Sequence, residues 1–388
     1  MAPIISFNGL DGSGKTEQVE LLKWRATGLF HFTRPLSSYS RNWPRLDPIS
    51  ASRWWFEEVA IPELTEIIIE ALHARGNDHV PGMVSVWDRG PRMFQAVCAA
   101  TWATRDERMR VSDSLEVIGK QFRGELSLDK DMEICLRMSP EYRARLQTYQ
   151  QILSARPQRP EWMNQRYARY QRNLQEAMGI LYQQEEPAYY QDVSDCAIVI
   201  NNKIVDCLNT ALDLRIEQAL EHLWLILGLS GYSESGKSSM GELLRIEKGA
   251  LRLKLRFFSQ YLRSFGQEPG PKEVAYEVMR FAQTHPYPFL TIESLHGYRA
   301  SAYLKMLIGE RYKVAFLEAD FETRVKRSMI QTNQTYEETA RFVEVRDIKK
   351  SEAGIATVQS LSDIHVDNNL DQPSAFAELL AKIGLATF

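Results

Sequence analysis

The 388-residue sequence predicts an α/β protein of two domains, each a parallel sheet flanked by helices and each carrying a phosphate-binding loop of the NTPase type (a P-loop). Three observations carry that expectation. Short apolar, β-rich runs alternate with longer helical patterns, the signature of a parallel sheet covered on both faces. The motif G-x-x-x-x-G-K-[ST] occurs twice, as Gly9-Leu10-Asp11-Gly12-Ser13-Gly14-Lys15-Thr16 and as Gly231-Tyr232-Ser233-Glu234-Ser235-Gly236-Lys237-Ser238. The interval from Lys15 to Lys237 is long enough for one complete nucleotide-binding domain.

The elements follow in chain order. Residues 4–8 read as the entry strand of the first loop, and residues 16–23 leave it with helical periodicity. A strand feeding a glycine loop that opens a helix aims several N–H groups and the helix dipole at one anion. Residues 83–87 form a strand ending at Asp88-Arg89, residues 131–137 another and residues 196–200 a last one. Helices are expected over 62–74, 164–178 and 204–223. The third of these runs almost directly into the next strand, 223–227, which feeds the second loop. So short a linker implies two domains packed together, 1–219 and 220–388. In the second, 239–244 is helical, and strands are expected over 289–292 (ending at Glu293), 312–318 and 364–367. The aromatic group Trp43, Trp54, Trp55 and Phe56 has two readings, a substrate or partner surface and burial against the helix starting near Glu57. Burial is favoured, because large rings pack more often than they bind.

Composition bounds the function. A net charge of −3 gives no global field toward nucleic acid or membrane, so neither is favoured as a partner. No charged-then-apolar leader is present, and no apolar run reaches the ~18 residues of a membrane span. Cys98, Cys135, Cys196 and Cys207 form no C-x-x-C pair and the histidines no metal-ligand spacing, so a cytoplasmic protein with reduced thiols is expected. The oligomeric state stays open, a homodimer included.

The loops bring their own chemistry. Asp11, Gly12, Ser13 and Gly14 in the first, and Ser233, Glu234, Ser235 and Gly236 in the second, are placed to cradle the phosphates of ATP. Lys15 and Lys237 reach the β- and γ-phosphates, while Thr16 and Ser238 ligate Mg²⁺. Asp88, at a strand's carboxyl end, is positioned to hold Mg²⁺ through water or to orient the acceptor. Transferring a phosphoryl group also needs positive charge around it. Between Glu141 and Arg172 the sequence supplies Arg143, Arg145, Arg156, Arg159, Arg166, Arg169 and Arg172 against only two acids, a composition suited to a closing lid. Arg156 and Arg159 are the preferred pair, because their proline neighbours place them on a loop.

The first half, about 1–215, resembles the thymidylate kinases. The resemblance rests on Phe7-Asn8-Gly9-Leu10-Asp11-Gly12-Ser13-Gly14-Lys15-Thr16, on Thr33-Arg34-Pro35, on Asp88-Arg89, on Phe94-Gln95 and on Met138-Ser139-Pro140-Glu141. It implies that Arg89 and Arg34 bind an acceptor phosphate and that Asp11 touches the acceptor sugar. Two departures stand out. Leu36-Ser37-Ser38 replaces the family's Gly-Gly, and Gly90-Pro91-Arg92 replaces a tyrosine and serines, which argues for an altered acceptor pocket. The second half, about 222–385, resembles dephospho-CoA-kinase- and adenylate-kinase-type P-loop kinases. Its clues are the segments from Glu293 to Arg299, from Glu318 to Arg327, from Arg346-Asp347 to Gly354 and from Ser362 to Asn368. That resemblance implies Arg346 at the transferring phosphate, Arg299 at an acceptor and Glu293 beside Mg²⁺.

The leading expectation is therefore an ATP- and Mg²⁺-dependent kinase of a small nucleotide or nucleotide-like acceptor, with two sequential phosphorylations by fused domains as one form of it. Phosphorylation of a modified base or sugar hydroxyl, in free nucleotide or DNA, is a second. A nucleotide-sensing regulatory NTPase with one catalytic and one structural loop is a third.

Overall fold

The computed structural model describes residues 3–26, 28–125, 131–138, 160–184, 189–193, 196–266, 268–295, 297–332, 334–369 and 371–385. The chain divides between Glu217 and Gln218 into two compact units.

The first unit runs β1 (Ile4–Gly9), α1 (Lys15–Arg25), β2 (Phe30–Phe32), α2 (Pro48–Arg53), α3 (Ile61–Gly76), β3 (Val84–Asp88), α4 (Pro91–Arg105), α5 (Val111–Glu125), β4 (Asp131–Met138), α6 (Glu161–Gln184), β5 (Tyr189–Val193) and α7 (Ala197–Leu212). Its sheet is ordered β2-β3-β1-β4-β5, every pairing parallel. Strand β1 is central and almost wholly buried, as a parallel strand covered on both faces must be. Leu64, Ile68 and Leu72 of α3, Phe122 of α5 and Leu174 of α6 fill the core beside Trp87.

The second unit runs β6 (Leu225–Ser230), α8 (Lys237–Lys248), β7 (Leu251–Lys254), α9 (Leu255–Arg263), α10 (Pro271–Thr284), β8 (Phe289–Glu293), α11 (Tyr298–Ile308), β9 (Tyr312–Glu318), α12 (Phe321–Thr332), α13 (Tyr336–Glu352), α14 (Ile355–Ser360), β10 (Ile364–Asp367) and α15 (Gln372–Lys382). Its order is β10-β9-β6-β8-β7, again all parallel. Counted from each unit's first strand, the two sheets share one topology. The strand bearing the loop is central, and the third strand of the unit lies on one side of it and the fourth on the other. Chain direction reverses its sense of winding at the loop strand, so a crevice opens outside the carboxyl ends there. Among the described residues no helix is long and apolar enough to cross a membrane.

One expected strand is a helix. Residues 196–200, an apolar run, form the N-cap and first turn of α7. The buried positions Ala197, Ile198, Asn201, Ile204, Val205 and Leu208 recur at helical spacing, and the period, not the apolarity, decides the state. The edge strand is β5, which pairs with β4 from Ile134↔Tyr189 to Met138↔Val193. Helix α7 also ends earlier than expected, at Leu212, with Asp213 in the left-handed conformation and the Asn209 side chain exchanging 2.9 Å hydrogen bonds with the backbone of Ile216. Short strands β2 and β7 were not foreseen.

Gly9 and Gly231 turn each loop off its strand, at φ +143° and +139°. A Cβ on Gly9 would stand 2.6 Å from the Leu136 carbonyl oxygen and 2.7 Å from Ser13 Oγ. Gly9→Ala is therefore expected to lower unfolding free energy by about 1–3 kcal/mol. Gly179→Ala, inside α6 with open space around it, is expected to raise it by about 0.5–1 kcal/mol. Urea titrations of both variants check the pair.

Candidate active site

The register of the first sheet builds the first site. Phe7 of β1 lies opposite Asp88, the last residue of β3, so the loop that follows β1 begins beside that carboxylate. Thr16, in the first turn of α1, donates its hydroxyl to Asp88 Oδ2 at 3.0 Å. The other oxygen, Oδ1, is buried without a hydrogen-bond partner. A carboxylate with one orphaned oxygen next to a threonine hydroxyl at the mouth of a phosphate loop suits a divalent cation. Lys15 is buried at 4% exposure and donates to the carbonyls of Gly9 and Leu10, both at 2.8 Å. Burial, with Arg89 close by, pulls its ammonium from the ordinary 10.5 down to about 8.

Asp11 is the hub on the other side of the loop. Its carboxylate accepts from Arg89 Nη2 at 3.0 Å, from the Tyr167 hydroxyl at 2.8 Å and from Gln171 Nε2 at 3.0 Å, with Lys15 Nζ at 3.9 Å. Burial alone would raise its pKa, but Lys15, Arg89 and Tyr167 hold it below the ordinary carboxylate value. Tyr167 and Gln171 lie one turn apart on α6 and were not picked out from the sequence. Their i, i+4 spacing is the signal that could have placed them on one face.

A cavity of about 410 Å³ opens from this point, lined by the polar and charged Thr16, Asp11, Asp88, Arg34 and Arg89 and by the aromatic Trp43, Trp55, Phe94 and Tyr170. That volume falls within the ~300–1,000 Å³ of small-molecule sites. The guanidinium of Arg34 lies 4.9 Å over the ring of Tyr39. Trp43 stands 5.9 Å from Trp55, whose indole N–H donates to Thr101 Oγ1 at 3.0 Å. The tryptophans thus take both readings at once, half-buried on the core and facing the cavity. The core they pack on includes Ile61, Leu64 and Ile68 of the expected helix, which starts later than Glu57. Residues Trp54–Glu58 form a π-helical turn, and α3 begins at Ile61.

Arg156 and Arg159, with Arg143 and Arg145, lie outside the described residues. Arg166 and Arg169 are committed elsewhere: Arg166 pairs with Glu57 at 2.7 Å and Arg169 with Glu107.

The second site repeats the frame with different charges. Ser238 donates to Glu293 Oε2 at 3.1 Å, as Thr16 does to Asp88. Glu293, only 2% exposed, is however already gripped by Arg252, whose Nε meets Oε1 and whose Nη2 meets Oε2 at 3.1 Å. A guanidinium fork in that place neutralises the carboxylate and repels a second cation. The residues expected to hold Mg²⁺ here, Ser238 and Glu293, therefore fit one poorly.

Helix α13 also lies on the loop. Asp347 Oδ1 accepts the backbone N–H of Ser233 at 2.9 Å, while its other oxygen pairs with the buried Arg324. Arg346, expected at the transferring phosphate, pairs with Glu234 at 2.9 Å. Lys237 donates to the Gly231 carbonyl at 2.9 Å and to Ser235 Oγ at 3.1 Å. Burial, then the nearby Lys350, push its ammonium well below the ordinary lysine value, and burial brings Lys350 itself to about 8. Asn368 closes the loop's far side, donating to the Ser235 carbonyl at 2.7 Å. Arg299 lines a separate cavity with Tyr298, Leu255 and Glu352 that includes no loop residue.

No family model matches the chain, and no curated relative matches it. Among solved structures it is similar to a thymidylate kinase from Candida albicans, at 16% identity and TM-score 0.39, over 55% of this chain and 93% of that one. A shikimate kinase from Bacteroides thetaiotaomicron aligns at 16% identity and TM-score 0.28, over 42% and 99%. An uncharacterized protein from Eubacterium ventriosum aligns at 13% identity and TM-score 0.34, over 41% and 98%.

The Lys15 amine yields a pH test. Below pH 8 the folded chain carries a charged, desolvated amine at full cost. Between 8 and 10.5 the folded form sheds the proton while the unfolded form keeps it, so that cost fades, and above 10.5 it is gone. Lys15→Met is thus expected to raise the midpoint of the first unit's thermal transition at pH 7 by roughly 2–8 °C. The gain should shrink as the pH rises from 8 toward 10.5, as followed by scanning calorimetry.

Proposed function

We infer that the first unit transfers the γ-phosphoryl group of ATP, with Mg²⁺, to a phosphate oxygen of a nucleotide-like acceptor, giving ADP and an acceptor one phosphate longer. The observation that carries this reading is the meeting, at the mouth of one cavity, of Thr16, an Asp88 oxygen without a partner, and the arginines Arg34 and Arg89.

The roles follow from the chemistry of each group. The amides of Gly12 to Lys15 hold the donor phosphates at the N-terminus of α1, where the helix dipole favours an anion. Lys15 leaves its loop carbonyls to neutralise charge that spreads over the transferring oxygens. Thr16 and Asp88 would hold Mg²⁺, which would supply charge neutralisation to the donor phosphates. Arg34 and Arg89 anchor the acceptor phosphate with planar, permanently charged forks. Trp43, Trp55 and Phe94 offer an apolar wall to an aromatic ring, which favours a nucleotide over a sugar acid. Asp11 holds Arg89 toward that phosphate.

The same inference treats the chain as two unlike P-loop units fused, 1–219 and 220–388, at work in the cytoplasm. For the second unit, the Arg252 fork on Glu293 and the Asp347 carboxylate on the loop favour the regulatory reading, in which nucleotide is bound without Mg²⁺-dependent turnover. Among the described residues of the first unit no such fork covers Asp88.

Two experiments test these assignments. Against a panel of nucleoside monophosphates, Lys15→Ala should abolish transfer and Asp88→Asn should lower kcat about 10²–10³-fold, while Lys237→Ala leaves transfer in place. Full transfer by Lys15→Ala would remove the first-unit assignment. With the first site silenced by Lys15→Ala, isothermal titration with ATP should give an affinity in the second unit that changes less than about threefold when Mg²⁺ is removed. A strong Mg²⁺ requirement there would return the second unit to the kinase reading.

A further inference from the structure

Arg75 is among the largest fully buried side chains in the protein, at 1% exposure, on the last turn of α3. A buried guanidinium is expensive unless it is paired. Yet among the described residues no carboxylate lies within ion-pair distance of it. It spends its donors on three oxygens instead. Nε donates to Thr33 Oγ1 at 2.8 Å, and Nη1 to the carbonyl oxygens of Arg89 at 3.1 Å and Asp88 at 3.4 Å. Its plane lies 4.8 Å over the ring of Trp87, the residue before Asp88. Burial drags its pKa down to about 10, against the opposing pull of Tyr39, Asp88 and Asp78.

The oxygens it holds are the informative part. Arg89 has φ +71°, a left-handed conformation that a long side chain adopts only when its surroundings impose it. Three contacts impose it. The Arg89 N–H is held by the Phe7 carbonyl at 3.1 Å, the Gly90 N–H by Asn8 Oδ1 at 2.8 Å, and the carbonyl side by Arg75. Thr33, the other oxygen on Arg75, is fixed to β3 through the Val86 carbonyl and immediately precedes Arg34. One guanidinium therefore joins the two segments that present Arg34 and Arg89.

We propose that Arg75 is a positioning residue for acceptor binding: it clamps the strained Asp88-Arg89 turn to the Thr33-Arg34 segment, and so sets the spacing of the two arginines that face the cavity. The second unit has the same turn, with Ser294 at φ +64°, and Ser230, at the place Asn8 takes in the first unit, donates its hydroxyl to the Leu295 carbonyl at 2.7 Å. A charge at the root of the turn also adds to the positive field met by an incoming phosphate.

The proposal rests on the first unit's reading as a kinase, so its test has one arm that does not. The full-length protein carrying Arg75→Met, Arg75→Lys or Thr33→Val is compared with the native chain. Hydrogen–deuterium exchange at the amides of Arg89 and Gly90 should quicken about tenfold or more in Arg75→Met, and less in Arg75→Lys and Thr33→Val. In steady-state assays the acceptor KM should rise about tenfold in Arg75→Met while the KM for ATP stays within about twofold. A side chain that only fills the core would move both KM values together or neither. Unchanged exchange at the turn, or two KM values that rise in parallel or both stay unchanged, overturns the proposal. If Arg75→Met does not fold, Thr33→Val, which keeps the volume and removes only the Thr33 oxygen, decides on the same two readouts. If the native chain phosphorylates no acceptor, the functional reading falls and the exchange arm still judges the clamp.

Discussion

The hydrogen bond from Thr16 to Asp88 depends on a constraint set by the sheet itself. A parallel pairing of β1 with β3 in the observed register puts a loop and a strand end side by side, and so brings a hydroxyl of α1 onto that carboxylate. Every other group of the site is arranged around that contact. Lys15 packs under the loop, Asp11 reaches across it to Arg89, and Arg89 takes a strained backbone so that its side chain turns back over the crevice. The energetic burden is large, because several charges are held away from water. The unit manages it by satisfying the charges with loop carbonyls and with one another.

The second unit shows how far the same frame can diverge. Strand order, the positive φ of the first loop glycine, the strand-end carboxylate and the left-handed residue after it all recur. Electrostatics do not. Arg252 comes from the edge strand β7, opposite Thr291 of β8, and reaches Glu293, a contact with no counterpart on Asp88 among the described residues. Asp347 and Lys350 come from α13, whose start is fixed by a capping box of Thr335 and Glu338. Fold is carried by backbone pairing and apolar burial, and chemistry by a few side chains that neither constrains.

That division explains what could be read in the sequence. Both loops, the central strands and the carboxylates Asp88 and Glu293 were legible, because each is announced within a dozen residues by glycine spacing, apolar runs and a strand-end acid. The run at Cys196 misled because five apolar residues fit a strand or a helix turn equally, and only the longer period through Leu208 separates them. Arg75 and Arg252 carry no local mark, and the i, i+4 spacing of Tyr167 and Gln171 names a shared helix face but not what it meets. Arg75 lies 42 residues from the threonine it holds and Tyr167 lies 156 from Asp11, so their roles arise only when the chain closes. The tryptophans were ambiguous because a ring can pack on its inner face and line a cavity with its outer one.

The carboxylate of Asp347 on the Ser233 amide has a thermodynamic consequence. A loop whose donor is already satisfied by an internal anion binds an external one only from the fraction of molecules in which that contact is open. Its apparent dissociation constant is the intrinsic value divided by that fraction. On the reading that the second unit binds nucleotide, that unit would saturate at a higher ligand concentration than its loop alone would set, and a change that opened the Asp347 contact would lower the threshold without altering a residue of the loop.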